Sequence, residues 1–266
     1  AATMASGTLG RTNKSLGASL QKISSGMRIN SAADDAAGLG VATSLETDVI
    51  GTHQAMRNTN DGISIIQTAE GATEEVTDML QRMRELAVQS ASETLANDER
   101  SYIQDEFVQL RSEVARIAAT TEFNGISLAD GSGTGSIDVQ VGINSATSSR
   151  IAIQLVDLTT SSLGIQAVDL SSSTAAQSAL DFLDTALGSV NSGRSELGSV
   201  QNRLESALNN SQVYAQALSA AEGVIRDTDY ATETSNLTKL QIMQQAGTAA
   251  LAQAKNLNQS VISLLS

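Results

Sequence analysis

Apolar residues recur at alternating intervals of three and four positions over a long stretch of the C-terminal half. This spacing is typical of a helix that packs one face along other long helices. The sequence contains no proline, the residue that would end or kink such a helix. We therefore predict one continuous helix over residues 175–221, with the repeating positions Leu180, Leu183, Leu187, Val190, Arg194, Leu197, Gln201, Leu204, Leu208, Ser211, Ala215 and Leu218.

Two stretches upstream show the same spacing and predict helices over residues 40–90 and 97–120. A polar stretch separates them, and Asn97 or Asp98 would cap the second helix. Two helices with so short a connection are expected to pack antiparallel. The apolar positions are Ile66, Ala69, Thr73, Val76, Leu80, Met83 and Ala87 in the first helix, and Ile103, Phe107, Leu110, Val114 and Ile117 in the second.

Between these helices the period of the apolar residues changes to two, which predicts a β-hairpin over residues 136–155. The Ser/Thr-rich residues 159–173 would then connect the hairpin to the long C-terminal helix. One face of the hairpin is expected to lie on the helices. The alternating positions are Ile137, Val139, Val141 and Ile143 before the turn, and Ile151, Ile153 and Leu155 after it.

The two ends of the chain carry narrower apolar stripes that are rich in alanine and glycine. Isolated helices of this size are marginal in water, and a two-helix seam buries little apolar surface. We expect the terminal helices to pair with each other and to be covered by further copies of the chain. The candidate assembly residues are Leu16, Leu20, Ile23, Leu240, Met243, Leu257, Val261 and Leu264.

Charge and composition exclude several classes of function. The chain has 29 acidic and 16 basic residues, a net charge of −13 and no basic run, which argues against a nucleic-acid partner. No apolar stretch reaches the ~20 residues of a membrane span, and residues 1–10 lack the segments of a secretory signal. Export would therefore need a dedicated machine. The chain begins at Ala1 without an initiator methionine, which predicts a processed or trimmed product.

No pattern in the sequence predicts an enzyme, a cofactor or a metal site. The chain contains no cysteine, so a thiol nucleophile and a disulfide are both excluded. Asp34 and Asp35 lie near Glu46 and Asp48, but this group lacks the spacing of a calcium loop, and we interpret the acids as a helix start. His53, the sole histidine, has no nucleophile motif beside it.

Six strings of the sequence together cover both ends of the chain: SSGMRINSAADDAAG at 24–38, NTNDGIS at 58–64, QRMRELAVQS at 81–90, FNG at 123–125, QAGTAALAQA at 245–254 and LLS at 264–266. These strings resemble bacterial flagellin.

The resemblance implies a mainly α fold, in which a rod of long antiparallel helices carries a small β-hairpin and the terminal helices form a coiled coil. The rod would comprise residues 39–222, from an N-terminal part (39–172) and a C-terminal helix (173–222). Residues 1–38 and 223–266 would build the inner tube. Only residues 130–172 lie between the conserved halves, so the variable outer domains of the family would be missing or reduced to the hairpin. The N-terminus also begins later than the family pattern.

A resemblance to flagellin implies a secreted structural subunit that self-assembles into the bacterial flagellar filament for swimming motility. It implies a flagellar export chaperone, the filament cap and hook-filament junction proteins as partners. A hook-filament junction protein of the same family is the alternative. The strings at 81–90 and 245–254 favour flagellin over that alternative and exclude an unrelated coiled-coil adaptor.

The resemblance also implies a host receptor, Toll-like receptor 5. In flagellins this receptor contacts the segment that corresponds to residues 81–90 of this chain. The matching positions are Arg82, Leu86 and Glu113. We expect Arg82 and Leu86 to be exposed on one helix face, with Glu113 of the following helix beside them. A subunit packed against the same face in a filament would exclude the receptor.

Overall fold

The computed structural model describes the backbone of residues 2–132 and 135–265 and the side chains of residues 3–132 and 135–254. The prediction of a mainly helical fold with a small antiparallel hairpin is confirmed. Within the described residues no helix has the length and apolar character to cross a membrane. The elements are α1 (Ala2–Ser25), α2 (Ala36–Ala91), α3 (Asn97–Thr120), β1 (Glu122–Phe123), β2 (Ile126–Ser127), β3 (Ser136–Gln140), β4 (Arg150–Gln154), α4 (Ser173–Arg226) and α5 (Tyr230–Leu265).

The chain divides into two compact units. One contains residues up to 49 together with residues from 215 onward, and the other contains residues 50–214. The domain limits drawn from the sequence, 39–222 and 1–38 with 223–266, stay a prediction. We call the two units the terminal unit and the central unit.

The core of the central unit forms along the predicted apolar faces of α2 and α3. All seven positions named for α2 are buried, as are Ile103, Phe107 and Val114 of α3, whereas Leu110 and Ile117 are half-buried. Burial of large aliphatic and aromatic side chains is the main stabilising contribution to such a core, about 1.5–3 kcal/mol for each.

In helix α4 every second position of the predicted apolar stripe is buried over residues 180–208. Between these positions, the stripe that is buried runs one residue earlier than predicted. Leu183, Val190, Leu197 and Leu204 are buried as expected, but Leu180, Leu187, Arg194, Gln201 and Leu208 are only half-buried. Smaller residues, Ala179, Ala186 and Val200, are buried instead, and the half-buried Gly193 occupies the corresponding position, the third of the series. The physical reason is size: small side chains let neighbouring elements approach closely, and the larger leucines then flank the contact.

The segment that the sequence analysis treated as a polar connector contributes to the core. Leu163, Ile165, Val168 and Leu170 of residues 159–173, together with Leu158 just before them, are all buried in the same cluster as α2, α3 and α4. Its backbone is tied to α3, since Gln104 Oε1 accepts the Leu170 N–H at 2.7 Å and Arg111 donates to the Gln166 carbonyl. Aliphatic residues spaced among the serines and threonines were the signal for this burial.

Strands β3 and β4 pair antiparallel with Val139 opposite Ile151, so the predicted hairpin is confirmed. Strand β3 ends at Gln140 and strand β4 begins at Arg150. Ile143, which lies in the loop between them, is exposed rather than part of the buried face. Two glycines allow the hairpin and the residues just after it to pack closely against the helices. A Cβ on Gly62 would lie 2.9 Å from Val139 Cγ2, and one on Gly193 would overlap Val156.

A second hairpin, formed by the two-residue strands β1 and β2, was not predicted from the sequence. Asn124 and Gly125 occupy its turn with φ angles of 51° and 77°. A tight turn with two positive φ angles matches the right-handed twist of the strands and strongly favours the pair Asn-Gly. The Asn-Gly dipeptide was therefore a sufficient local signal.

The connection between α2 and α3 is organised by Arg100, which is buried. Its guanidinium donates to the carbonyls of Ser90 at 3.0 Å and Ser92 at 2.7 Å, which lie at the end of α2. The prediction of Asn97 or Asp98 as the N-cap was wrong, because the cap is Ala96. The Glu99 carboxylate, one turn into α3, accepts the Ala96 N–H, which is the one bond of a capping box that needs no side chain at the N-cap.

Candidate assembly and recognition surfaces

Helices α1 and α5 of the terminal unit pack against each other through polar side chains. Ser19 Oγ donates to Glu233 Oε1 at 2.5 Å, Gln244 donates to Asn13 Oδ1 at 2.8 Å, and Tyr230 donates to the Ile23 carbonyl. These bonds fix the register of the two helices, since each joins one position of α1 to one position of α5. They supply little of the apolar burial that would stabilise the pair alone.

The apolar side chains of this helix pair are largely uncovered. Among the side chains of α1 and α5 that the structure describes, only Thr12 and Ser19 are buried. Leu20 is 49% exposed and Met243 is 41% exposed, whereas Leu16, Ile23 and Leu240 are half-buried. The side chains of Leu257, Val261 and Leu264 lie outside the described residues. The candidate assembly residues therefore include apolar groups that the same unit covers only in part.

The segments that follow α1 and precede α5 pair with each other inside the terminal unit. The Arg28 N–H donates to the Arg226 carbonyl at 2.6 Å, and the Thr228 N–H donates to the Gly26 carbonyl at 2.9 Å. The Asp34 carboxylate accepts the N–H groups of Asn30 and Ser31. The bond from the Ser31 backbone is the largest cause that holds the pKa of Asp34 below its usual value.

In the central unit, Arg82 lies on the surface between α2 and α3, with half of its side chain exposed. Its guanidinium forms ion pairs with Glu85 of α2 and Glu106 of α3, both at 2.9 Å. The bond to Glu85, followed by the bond to Glu106, raises the pKa of Arg82. Arg82 is therefore an accessible cation in a fixed orientation.

The expected exposure of Leu86 was wrong. Leu86 is 1% exposed and belongs to the main hydrophobic cluster of the central unit. A position one turn from Arg82 is buried because α3, α4 and residues 158–170 all contribute to the same cluster, and residues 159–173 were not predicted to be part of a core. Leu86 offers no surface to a partner in this structure.

The expectation that Glu113 lies beside Arg82 was also wrong, since that neighbour is Glu106. Helices α2 and α3 are antiparallel, so a residue seven positions farther along α3 faces a residue about seven positions earlier on α2. Glu113 shares a shallow groove with Glu75 and Met79 and is paired with Arg116 of its own helix. The hydrogen bond from Arg116 lowers the pKa of Glu113.

Comparison with protein families gives two matches. The bacterial flagellin N-terminal helical region matches residues 1–134, and the bacterial flagellin C-terminal helical region matches residues 180–265. A flagellin of Halalkalibacterium halodurans is 45% identical over 92% of this chain and 90% of its own length. The flagellar filament 33 kDa core protein of Treponema phagedenis is 40% identical over 99% of this chain and 97% of its own length.

Solved structures give the same relationship. The crystal structure of Bacillus cereus flagellin superimposes with a TM-score of 0.52 at 34% identity, covering 58% of this chain and 88% of that one. A protein of Vibrio parahaemolyticus described as a candidate flagellar hook-associated protein gives a TM-score of 0.61 at 15% identity, over 73% of this chain and 99% of that one. The second likeness shows the fold alone. The two family matches and the similarity to relatives over nearly their whole length show that the chain belongs to the bacterial flagellin family.

Proposed function

We propose that this chain is a structural subunit that polymerises into the extracellular filament of the bacterial flagellum and serves swimming motility after secretion. The observation that carries the proposal is the uncovered apolar surface of the α1–α5 pair, where Leu20 and Met243 are both more than 40% exposed. Further copies of the same pair would bury these side chains. Contacts of this kind that do not close into a ring generate a helical polymer.

The relatives support the same function, since one of them is a flagellar filament core protein. Membership of the family further suggests an export chaperone, the filament cap and hook-filament junction proteins as partners.

Charge placed on the uncovered surface tests the assembly proposal. Leu20→Glu and Met243→Glu should prevent growth from filament seeds at concentrations where the wild-type chain elongates, because an unpaired carboxylate would be buried between subunits. Gln21→Glu is the matched control, since it adds the same charge at the neighbouring, exposed position. Negative-stain microscopy and sedimentation measure the polymer. Growth of Leu20→Glu at the wild-type concentration would reject the assembly role of Leu20.

We further propose that monomeric subunits are recognised by Toll-like receptor 5 through the surface around Arg82, with Glu113 on the same side of α3 at a greater distance. An exposed guanidinium held by two carboxylates can give directional, charge-assisted contacts at little cost in ordering. Leu86 would support this surface from below by packing. Subunits in a filament should bind poorly until depolymerised if a neighbour covers this face.

Binding of the soluble receptor ectodomain to Arg82→Ala tests this proposal. The affinity should fall by about tenfold or more, the range expected for an interface residue that contributes strongly. Arg84→Ala is the matched control on the same helix, because Arg84 is similarly exposed but pairs with Asp184 of α4. Circular dichroism verifies that both variants keep their helices. Equal affinity of folded Arg82→Ala and wild type would reject the contact.

A further inference from the structure

A groove of about 710 Å³ opens on the central unit where α2, α4 and the loop between β3 and β4 meet. Its apolar side is formed by residues such as Ala55, Ile143 and Tyr214. The polar side includes Asn144, Asn210 and the guanidinium groups of two arginines, Arg150 and Arg203.

Arg203 differs from most arginines of this unit. Arg82, Arg84 and Arg116 form ion pairs, and Arg150 donates to Gln140 Oε1. Arg203 has neither a hydrogen bond nor an ion pair to any residue that the structure describes, and it is exposed. It also borders a second, more open groove along α4 that is lined by Ser195, Ser199 and Asn202. The groove therefore holds a cation available to an outside carboxylate.

The chain itself carries a matching surface. Residues 50–214 contain 21 acidic and 9 basic residues, so almost the whole net negative charge of the chain lies in the central unit. None of the described residues that line the groove is acidic. Glu74, Glu75 and Asp78 form an exposed acidic face of α2, and none of them is bonded to another side chain among the described residues.

We propose that the Arg203 groove docks the acidic face of α2, Glu74, Glu75 and Asp78, of a second copy of this chain. The proposal rests on the self-assembly proposed above and adds a second contact, separate from the α1–α5 surface. Opposite charges on two surfaces of one molecule, which lie on different parts of the same unit, favour a head-to-tail contact that repeats from copy to copy. The apolar side of the groove would exclude water from the ion pairs and strengthen them.

Charge reversal in the full-length chain tests the contact. Arg203→Glu should raise the concentration needed for seeded elongation at least tenfold, and the neutral Arg203→Gln should raise it less. The matched control is Arg57→Glu, because Arg57 is an exposed arginine of the same unit that is already bonded to Gln54. It should change that concentration less than twofold. The triple variant Glu74→Lys, Glu75→Lys, Asp78→Lys should be impaired like Arg203→Glu.

Combining Arg203→Glu with the triple lysine variant in one chain should restore elongation, because the charges are then exchanged between the two surfaces. Restoration with a wild-type circular-dichroism spectrum supports the contact. Unchanged elongation of Arg203→Glu, or no restoration in the combined variant, overturns it while leaving the proposed filament function intact. A wild-type chain that does not elongate from seeds overturns the filament function and, with it, this contact.

Discussion

Arg82 and Leu86 lie one helical turn apart on α2, yet half of the Arg82 side chain is exposed whereas Leu86 is 1% exposed. The boundary between surface and core passes between them, because Leu86 belongs to the buried cluster that α2 shares with α3, α4 and residues 158–170, and Arg82 does not. The two residues therefore have separable effects: Arg82 is available to partners and Leu86 stabilises the unit.

The free energy of unfolding should report the role of Leu86 directly. Leu86→Ala should lower it by about 2–5 kcal/mol, because the substitution leaves a cavity in a packed core. Val88→Ala on the same helix is the control. Val88 is 51% exposed, so its truncation should change the free energy by no more than about 0.5 kcal/mol. Denaturant unfolding followed by circular dichroism measures both. Equal losses in the two variants would contradict the assignment of Leu86 to the core.

Replacing Arg100 with methionine should destabilise the connection between α2 and α3. The substitution keeps an apolar stem of similar length but leaves the carbonyls of Ser90 and Ser92 without their donor. A buried acceptor left without a partner costs about 1–3 kcal/mol. Arg57→Met serves for comparison, since Arg57 is exposed and bonded only within its own helix. Hydrogen exchange of the amides near residues 90–100 should accelerate in Arg100→Met alone.

Gly62 and Gly71 provide a test of the contact between α2 and the hairpin. A valine at position 62 would overlap Val139, so Gly62→Val should lower the free energy of unfolding by about 1–3 kcal/mol. Position 71 faces open space, and there the same substitution should be neutral or slightly stabilising because glycine is a poor helix former. Thermal unfolding of the two variants decides the matter. A stable Gly62→Val protein would show that the hairpin does not approach α2 this closely.

The pKa of Asp34 predicts a defined acid sensitivity. Hydrogen bonds from Ser31 and Asn30 lower this pKa in the folded chain. Its contribution to stability is therefore fully present above the pKa of an unfolded aspartate and is lost as the pH falls through the lower, folded value. The difference in thermal midpoint between wild type and Asp34→Asn should be constant above about pH 5 and shrink below about pH 4. A difference that grows on acidification would have the wrong sign.

Much of this protein follows from local sequence patterns. The long helices were predictable because the apolar spacing repeats over many turns without proline, and the hairpin because the period changes to two. Helix α3 was predicted with the bounds that the structure gives, Asn97–Thr120. The family was recognisable because its strings lie at both ends of the chain.

Tertiary structure alone decided which side of each pattern is buried. On α4, Leu180 and Ala179 are both apolar, and only packing against neighbouring elements selects the smaller residue for the interior. Leu86 is buried in a cluster that includes residues about 80 positions away, and the pairing of Arg82 with Glu106 depends on the register of two antiparallel helices. The apolar period of one helix fixes neither of these. The partners that cover a helix face are set by contacts distant in sequence, and those contacts exist only in the folded chain.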